Sequence, residues 1–128
     1  MKILVVDDEK DVQILFQQRF RKEIKNKIME FVFAFSGEEA IQTLNEMQHE
    51  AILILSDINM PGMSGLELLK HIKNNFASPP PAPVVMMITA YGDEENRRIA
   101  NELGAEEFLT KPLDFKELKI KLNNLNHG

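Results

Sequence analysis

The stretch from Leu53 to Gly65 constrains the fold more than any other part of this 128-residue chain. The run Ala51 to Leu55 has no polar residue, Asp57 follows it closely, and a loop containing Pro and Gly comes next. Such a run is typical of a strand buried on both faces of a parallel sheet. Open α/β sheets bind ligands outside the carboxyl ends of their strands. Asp57 is therefore a candidate site residue, although an isolated acid at this place is more often an ordinary turn residue.

Four further segments have the composition of strands, and an amphipathic or capped segment follows each strand. The other predicted strands are Ile3 to Val6, Phe31 to Phe35, Val84 to Ile88 and Glu107 to Thr110. Five strands alternating with five helices imply parallel pairing with right-handed crossovers. We therefore predict one domain over residues 1–128. Its fold is an α/β three-layer sandwich, flavodoxin-like and doubly wound, with a five-stranded parallel sheet of order 2-1-3-4-5 and helices on both faces.

The predicted helices have recognisable starting signals. The first begins at Asp11 and continues to about Ile24 as one amphipathic segment. Two others have the spacing of a capping box, at Ser36 with Glu39 and at Ser64 with Glu67. Asp93 opens an unusually polar fourth helix, and Asp114 with Glu117 opens the last one.

Composition narrows the classes of function. The net charge of -5 and the pI near 5.2 argue against a surface that binds nucleic acid or anionic membranes. The absence of cysteine excludes disulfides and thiolate metal sites. The N-terminal apolar segment is too short for a signal peptide and is followed at once by acids. We expect a cytoplasmic protein.

Polar residues follow four of the predicted strands, and a parallel sheet brings these strand ends to one edge. The residues are Asp7, Asp8, Asp57, Thr89 and Lys111. Three carboxylates in one crevice repel each other, and a bound cation would relieve that repulsion. Oxygen ligands that leave room for water and a phosphoryl oxygen suit Mg²⁺ or Mn²⁺ better than Zn²⁺.

Beside such a cation, Asp57 can act as a nucleophile toward a phosphoryl group and form an aspartyl phosphate. The Lys111 ammonium would neutralise charge on the phosphoryl oxygens, and the Thr89 hydroxyl can donate to one of them. Each residue taken singly has an ordinary alternative: a surface lysine, a hydroxyl at a strand end, an acidic turn. It is their joint occurrence at four strand ends that indicates a site.

Four sequence blocks now resemble a known family, the receiver domains of bacterial two-component response regulators, over essentially the whole chain. The blocks are VVDDE at Val5 to Glu9, SDINMPGMSG at Ser56 to Gly65, MITA at Met87 to Ala90 and FLTKP at Phe108 to Pro112. They occur in the order and at the spacing of that family, whose fold is like that of the chemotaxis regulators.

The resemblance implies that Asp57 is the phosphoacceptor. It also implies a Mg²⁺ or Mn²⁺ site formed by Asp7, Asp8, Asp57 and the backbone carbonyl of Asn59. The family has a cis peptide bond at the place of Lys111-Pro112, where the sequence alone only permits one.

A conformational switch is implied as well. In the family, the hydroxyl at the place of Thr89 moves toward the phosphoryl group, and an aromatic side chain, here Phe108, turns into the vacated space. Lys111 also contacts the phosphoryl group. Asn59 and Tyr91 resemble variable positions that control the access of attacking water and so the lifetime of the phosphorylated form.

The same resemblance implies the partners. A sensor histidine kinase or a histidine phosphotransfer protein would supply the phosphoryl group, and slow autodephosphorylation would be the chain's only hydrolytic activity. The polar fourth helix, the strand holding Phe108 and the last helix would then control a downstream output protein or a fused output domain. A phosphorylation-dependent homodimer fits this scheme, whereas direct binding to nucleic acid or membranes does not.

Three other functions compete with this interpretation. A Mg²⁺-dependent phosphatase would use Asp57 as nucleophile but needs a general acid where this chain has Asn59, which cannot protonate a leaving group. A flavin-binding module of this topology would meet repulsion from Asp7, Asp8 and Glu9. A receiver-like scaffold that functions without phosphorylation would be expected to lack some site residues, and none is missing.

Overall fold

The computed structural model describes residues 1–47, 50 and 53–127, with side chains described through residue 125. Ala51 and Ile52, the start of the apolar run before Asp57, lie outside the described residues. Within the described part of the chain, no helix combines the length and apolar content needed to cross a lipid bilayer.

Five parallel strands form one sheet in the order β2-β1-β3-β4-β5, which confirms the predicted topology. The strands are β1 (Lys2–Val6), β2 (Glu30–Ala34), β3 (Leu53–Asp57), β4 (Val84–Thr89) and β5 (Glu107–Thr110). The central strand β3 is buried over its whole length, as its apolar sequence predicts.

Helices cover both faces of the sheet and complete the predicted three-layer sandwich. They are α1 (Asp11–Arg19), α2 (Arg21–Lys25), α3 (Gly37–Met47), α4 (Gly65–Asn75), α5 (Glu94–Glu102) and α6 (Phe115–His127). Side chains of α1, α2 and α6 pack into a core on one face, and those of α3, α4 and α5 pack into a core on the other.

The prediction of a single helix from Asp11 to about Ile24 is wrong in one respect, because the helix is interrupted at Phe20. The backbone of Phe20 has φ -107° and ψ 23°, outside the helical range. Hydrogen bonds from Phe20 to Phe16 and from Ile24 to Phe20 continue on both sides of the interruption. The Phe20 ring is fully buried and lies 4.9 Å from the ring of Phe31, centroid to centroid. We attribute the break to this packing, which a regular amphipathic pattern does not reveal.

The predicted capping residues accept a backbone hydrogen bond at the starts of α3, α4 and α6, and at α4 both hydrogen bonds of the capping box are present. At α4, the Glu67 N–H donates to Ser64 Oγ and the Ser64 N–H donates to Glu67 Oε1, so the capping box is complete. At α3, the Glu39 N–H donates to Ser36 Oγ at 3.0 Å. At α6, the Glu117 N–H donates to Asp114 Oδ1 at 3.3 Å.

Gly65 lies directly against the backbone that follows β3. A Cβ atom at this position would come 2.1 Å from the carbonyl oxygen of Asp57 and 2.7 Å from Cα of Ile58. The Gly65 N–H donates to the Ile58 carbonyl at 2.7 Å. The missing side chain therefore allows the start of α4 to anchor the loop that begins at Asp57. Within that loop, Gly62 has φ +73°, a conformation that glycine adopts without strain.

We expect Gly65→Ala to destabilise the protein by about 1–3 kcal/mol or more, because neither backbone segment can yield without moving Asp57. Urea unfolding measures this loss. Lys70→Ala, at an exposed position of the same helix, should change stability by less than about 0.5 kcal/mol. Equal stability of Gly65→Ala and the native protein would contradict the close approach.

Candidate functional site

The register of the sheet brings the predicted site residues to one level at its carboxyl edge. Val6 is paired with Ser56, so Asp7 and Asp57 are the next residues on neighbouring strands. Thr89 is paired with Thr110, so Lys111 follows one residue beyond. The Lys111 N–H donates to the Thr89 carbonyl at 2.8 Å and extends this ladder past the end of β5.

Three carboxylates form the acidic part of the site. One oxygen each from Asp7, Asp8 and Asp57 lies within 4.8 Å of the other two. Asp7 and Asp57 are 5% and 3% exposed, whereas Asp8 is exposed to solvent. The carboxylates of Asp7 and Asp57 each accept a hydrogen bond from the backbone N–H two residues later in the sequence. The Glu9 N–H donates to Asp7 Oδ1 at 2.9 Å, and the Asn59 N–H donates to Asp57 Oδ1 at 3.4 Å.

The ammonium of Lys111 lies against the other oxygens of the buried pair. Its Nζ is 2.6 Å from Asp57 Oδ2 and 4.0 Å from Asp7 Oδ2. Burial lowers the pKa of Lys111, but the hydrogen bond to Asp57 and the nearby acidic charges outweigh it, so its pKa lies above the usual value. Lys111 therefore remains charged. The Lys111-Pro112 peptide bond is cis, as the resemblance implied.

The surroundings of Asp7 disfavour the charged form of its carboxyl group. Burial raises the pKa of Asp7, and the charges of Asp57 and Asp8 raise it further, against the hydrogen bond from Glu9 and the charge of Lys111. A carboxylate that is penalised in this way gains from a bound cation.

The donor set fits a hard divalent cation. All three candidate ligands are carboxylates, and exposed Asp8 leaves one side of the cluster open to water. Such a set suits Mg²⁺ or Mn²⁺. The predicted contribution of the Asn59 carbonyl stays a prediction.

Thr89 and Phe108 lie on β4 and β5, the two strands that follow Asp57 across the sheet. Thr89 is 3% exposed, and its hydroxyl donates to the Leu109 carbonyl at 3.4 Å, toward β5. Phe108 is half-buried on β5, with the guanidinium carbon of Arg97 5.0 Å from its ring centroid. Asn59 is exposed at the rim of the site, and Tyr91 is 89% exposed.

A cavity of about 370 Å³ opens beside the acids, between α1 and the segment that follows β5. Its lining includes Asp7, Glu9, Lys111 and Phe115. A larger groove of about 730 Å³ lies near the start of β1 and β2, at the opposite edge of the sheet from the acids. Of these two, the smaller cavity lies beside the acids, where Asp7 and Lys111 form part of its wall.

Sequence reasoning did not find two residues of this region. Glu9 was grouped with the acids but received no role, although its N–H holds Asp7 and its side chain lines the access cavity. Arg97 belongs to the predicted polar fourth helix and received no role, although its guanidinium carbon lies 5.0 Å from the centroid of the Phe108 ring. Nothing in the spacing of Arg97 and Phe108 signals that contact.

The fold and the site together define a doubly wound α/β protein whose carboxyl edge carries three acids and a lysine. The sequence matches the family model of the response regulator receiver domain over residues 3–123. The chain belongs to this family, the receiver domains of two-component systems.

Solved structures of receiver domains have the same fold. A response regulator receiver domain protein from Clostridium thermocellum is 30% identical, with a TM-score of 0.81, and the match covers 96% of this chain and 91% of that one. The signal receiver domain of an HD domain-containing protein from Pseudomonas fluorescens Pf-5 is 27% identical, with a TM-score of 0.83 and coverage of 98% and 94%. The receiver domain of TorR, the response regulator of a TMAO respiratory system, is 27% identical, with a TM-score of 0.81 and coverage of 97% and 94%.

The raised pKa of Asp7 predicts how stability depends on pH without metal. The folded state holds this proton more tightly than the unfolded state does. The proton bound to Asp7 therefore stabilises the folded state. This stabilisation is fully present below the ordinary pKa of 3.8 and is lost as the pH rises through the higher pKa of the folded state. We expect Asp7→Asn to remove this pH-dependent loss and to raise the metal-free stability at about pH 8.

Urea unfolding in a chelator, from about pH 4 to about pH 8, measures the difference between variant and native protein. Added Mg²⁺ should stabilise the native protein more than the variant. Asp11→Asn, an exposed acid outside the cluster, serves as the control. Parallel pH profiles for the native protein and Asp7→Asn would contradict the assignment of this pKa.

Proposed function

We propose that this receiver domain accepts a phosphoryl group on Asp57 in a Mg²⁺-dependent reaction and thereby switches the surface formed by α5, β5 and α6. The observation that best supports this proposal is the buried carboxylate of Asp57, whose Oδ2 lies 2.6 Å from Lys111 Nζ beside two further acids. This arrangement combines a nucleophile, a fixed positive charge and a set of cation ligands.

The reaction would form one bond and break one bond. An oxygen of Asp57 attacks phosphorus, and the bond from phosphorus to the donor breaks as the donor leaves with the electron pair. Phosphoryl transfer depends mainly on positioning and charge neutralisation. Lys111 can exchange its contact with Asp57 for a phosphoryl oxygen. Asp7, Asp8, Asp57 and the Asn59 carbonyl would hold the cation, whose charge would offset that of the phosphoryl oxygens.

The proposed donor is a phosphohistidine of a sensor histidine kinase or of a histidine phosphotransfer protein. Its imidazole would approach through the 370 Å³ cavity that Asp7, Glu9 and Lys111 line beside the acids. An open cavity of this kind suits a protein donor better than a deep pocket would suit one. We propose that the reaction takes place in the cytoplasm.

In the proposed switch, a movement of the Thr89 side chain is the first step toward the change in the output surface. The Thr89 hydroxyl now donates to the Leu109 carbonyl, so contact with a phosphoryl group on Asp57 would require it to leave that partner. We propose that Phe108 moves in response and changes the surface of α5, β5 and α6. The recipient would be an output protein, a fused output domain or a second copy of the chain, and not nucleic acid.

Slow hydrolysis would end the signal. Asn59 and Tyr91 are both exposed at the edge of the site and would control how water reaches the phosphoryl group. The chain would therefore be a signalling phosphoacceptor, with no hydrolytic activity beyond its own dephosphorylation.

We expect acetyl phosphate with Mg²⁺ to add one phosphoryl group, detected by intact mass. Asp57→Asn should lose this adduct because an amide is too weak a nucleophile. Chelation of the metal should greatly reduce it as well. Asp11→Asn, with its exposed side chain outside the acidic cluster, should be labelled like the native protein. Equal labelling of Asp57→Asn would refute Asp57 as the acceptor.

Lys111→Ala should weaken the coupling between phosphorylation and the surface more than it weakens folding. Lys111 is partly exposed, so we expect a loss of stability of about 1 kcal/mol or less in Mg²⁺. The change in hydrogen exchange over α5, β5 and α6 should be largely lost, because the phosphoryl group lacks its ammonium partner.

The hydrogen-exchange comparison is made at equal phosphorylated fractions, set by intact mass. Lys116→Ala, an exposed lysine of α6, is the matched control and should respond like the native protein. A native-like exchange response in Lys111→Ala would refute the coupling role.

A further inference from the structure

Arg97 lies over the side chain that the proposed switch would move. It extends from α5, and its guanidinium carbon is 5.0 Å from the centroid of the Phe108 ring. This distance is within the range of a cation–π interaction. Its neighbour Arg98 instead forms ion pairs along the helix, with Glu95 at 2.6 Å and Glu102 at 2.6 Å.

The sheet register places Phe108 close to Thr89 on the same face. Phe108 is paired with Met87 and Thr110 with Thr89, so Phe108 and Thr89 are diagonal neighbours on adjacent strands. Both Met87 and Phe108 pack on the side of the sheet covered by α5. Neighbouring strands lie about 4.8 Å apart and rise about 3.3 Å per residue, so diagonal positions are roughly 8 Å apart, a distance that an aromatic side chain can span.

Two cavities flank Arg97, and Phe108 lines only one of them. The first, about 470 Å³, is lined by Phe108 together with Arg97, Arg98 and Asn101. The second, about 230 Å³, is lined by Thr89, Tyr91, Thr110 and again Arg97. In this structure the Phe108 ring therefore lies outside the space beside Thr89, a position called its outer position below, and the one aromatic residue among the described residues that borders this space is Tyr91, which is 89% exposed.

Rotation of Thr89 toward Asp57 would enlarge the second cavity. The hydroxyl would leave the Leu109 carbonyl, and the side chain would move away from the wall that it now forms. A larger void loses packing contacts, so an apolar side chain that is already partly buried beside it gains by filling it. Phe108 is the diagonal aromatic neighbour, and a move into this space would take its ring out of its present position 5.0 Å from the Arg97 guanidinium carbon.

We propose that Arg97 is a positioning residue that holds Phe108 in its outer position and thereby opposes the movement of Thr89 toward Asp57. This inference rests on the proposed function for its effect on phosphorylation. The holding of Phe108 is a property of the unphosphorylated protein.

The size of the effect follows from the exposure of Arg97. A cation–π contact at an exposed site changes the ratio of two side-chain positions by about two- to fivefold. Arg97→Gln keeps a long polar side chain but removes the cation. Arg97→Lys keeps a cation and should retain most of the effect. Arg98→Gln makes the same chemical change at the adjacent residue and is the matched control.

Two measurements test the proposal. In the unphosphorylated protein, the NOE between the Phe108 ring and the Thr89 methyl group reports the inner position of the ring. Arg97→Gln should raise this inner population about two- to fivefold. The acetyl phosphate concentration that gives half-maximal phosphorylation should fall by a similar factor. Arg97→Lys and Arg98→Gln should stay close to the native protein in both measurements.

The outcomes separate this inference from the proposed function. An unchanged NOE in Arg97→Gln would overturn the holding of Phe108, whether or not Asp57 is phosphorylated. A Lys variant that behaves like the Gln variant would overturn the role of the positive charge. If the native protein is not phosphorylated while the NOE rises as expected, the proposed function fails and the positioning of Phe108 stands. A raised NOE with an unchanged phosphorylation midpoint would overturn the link between Phe108 and Thr89.

Discussion

Repulsion among the three carboxylates at the edge of the sheet is the constraint on which the site depends. The parallel register places Asp7 and Asp57 side by side in a largely buried setting, where their mutual repulsion is stronger than in water. Lys111 compensates part of this charge by its 2.6 Å contact with Asp57, but burial first, and then the charges of Asp57 and Asp8, still raise the pKa of Asp7. The site is thus arranged to gain from a cation.

The surrounding backbone holds this unfavourable arrangement in place. The N–H groups of Glu9 and Asn59 each donate to one buried carboxylate, which prevents the side chains from turning away from each other. Gly65 lets α4 approach the Asp57 carbonyl, and the capping box at Ser64 fixes where that helix begins. Acids that repel each other are therefore kept together by contacts of the residues that follow them in sequence.

Much of this could be predicted from sequence, because each strand end carries its own local signal. The apolar run before Asp57 predicted a buried strand, and parallel alternation then required Asp7, Asp57 and Lys111 to meet at one edge. Other features depend on packing between distant elements. We attribute the break at Phe20 to its packing against Phe31 of the edge strand β2. The contact between Arg97 and Phe108 joins a helix to a strand. Neither leaves a periodic pattern, so sequence reasoning missed both.

The hydrogen-bond partners of the site residues explain why one added group could change a distant surface. Lys111 and Thr89 both have oxygen partners now, Asp57 Oδ2 and the Leu109 carbonyl. A phosphoryl group offers new oxygens to both residues, and a ligand shifts an equilibrium only through such differential contacts. The helix next to Thr89 is suited to respond, because Ala100 is its only buried residue within the described part of the chain. A helix with so little buried surface has a low free-energy cost of displacement. In the proposed switch, the energy of a local exchange of partners would therefore suffice to move α5 with little change in the core of the sheet.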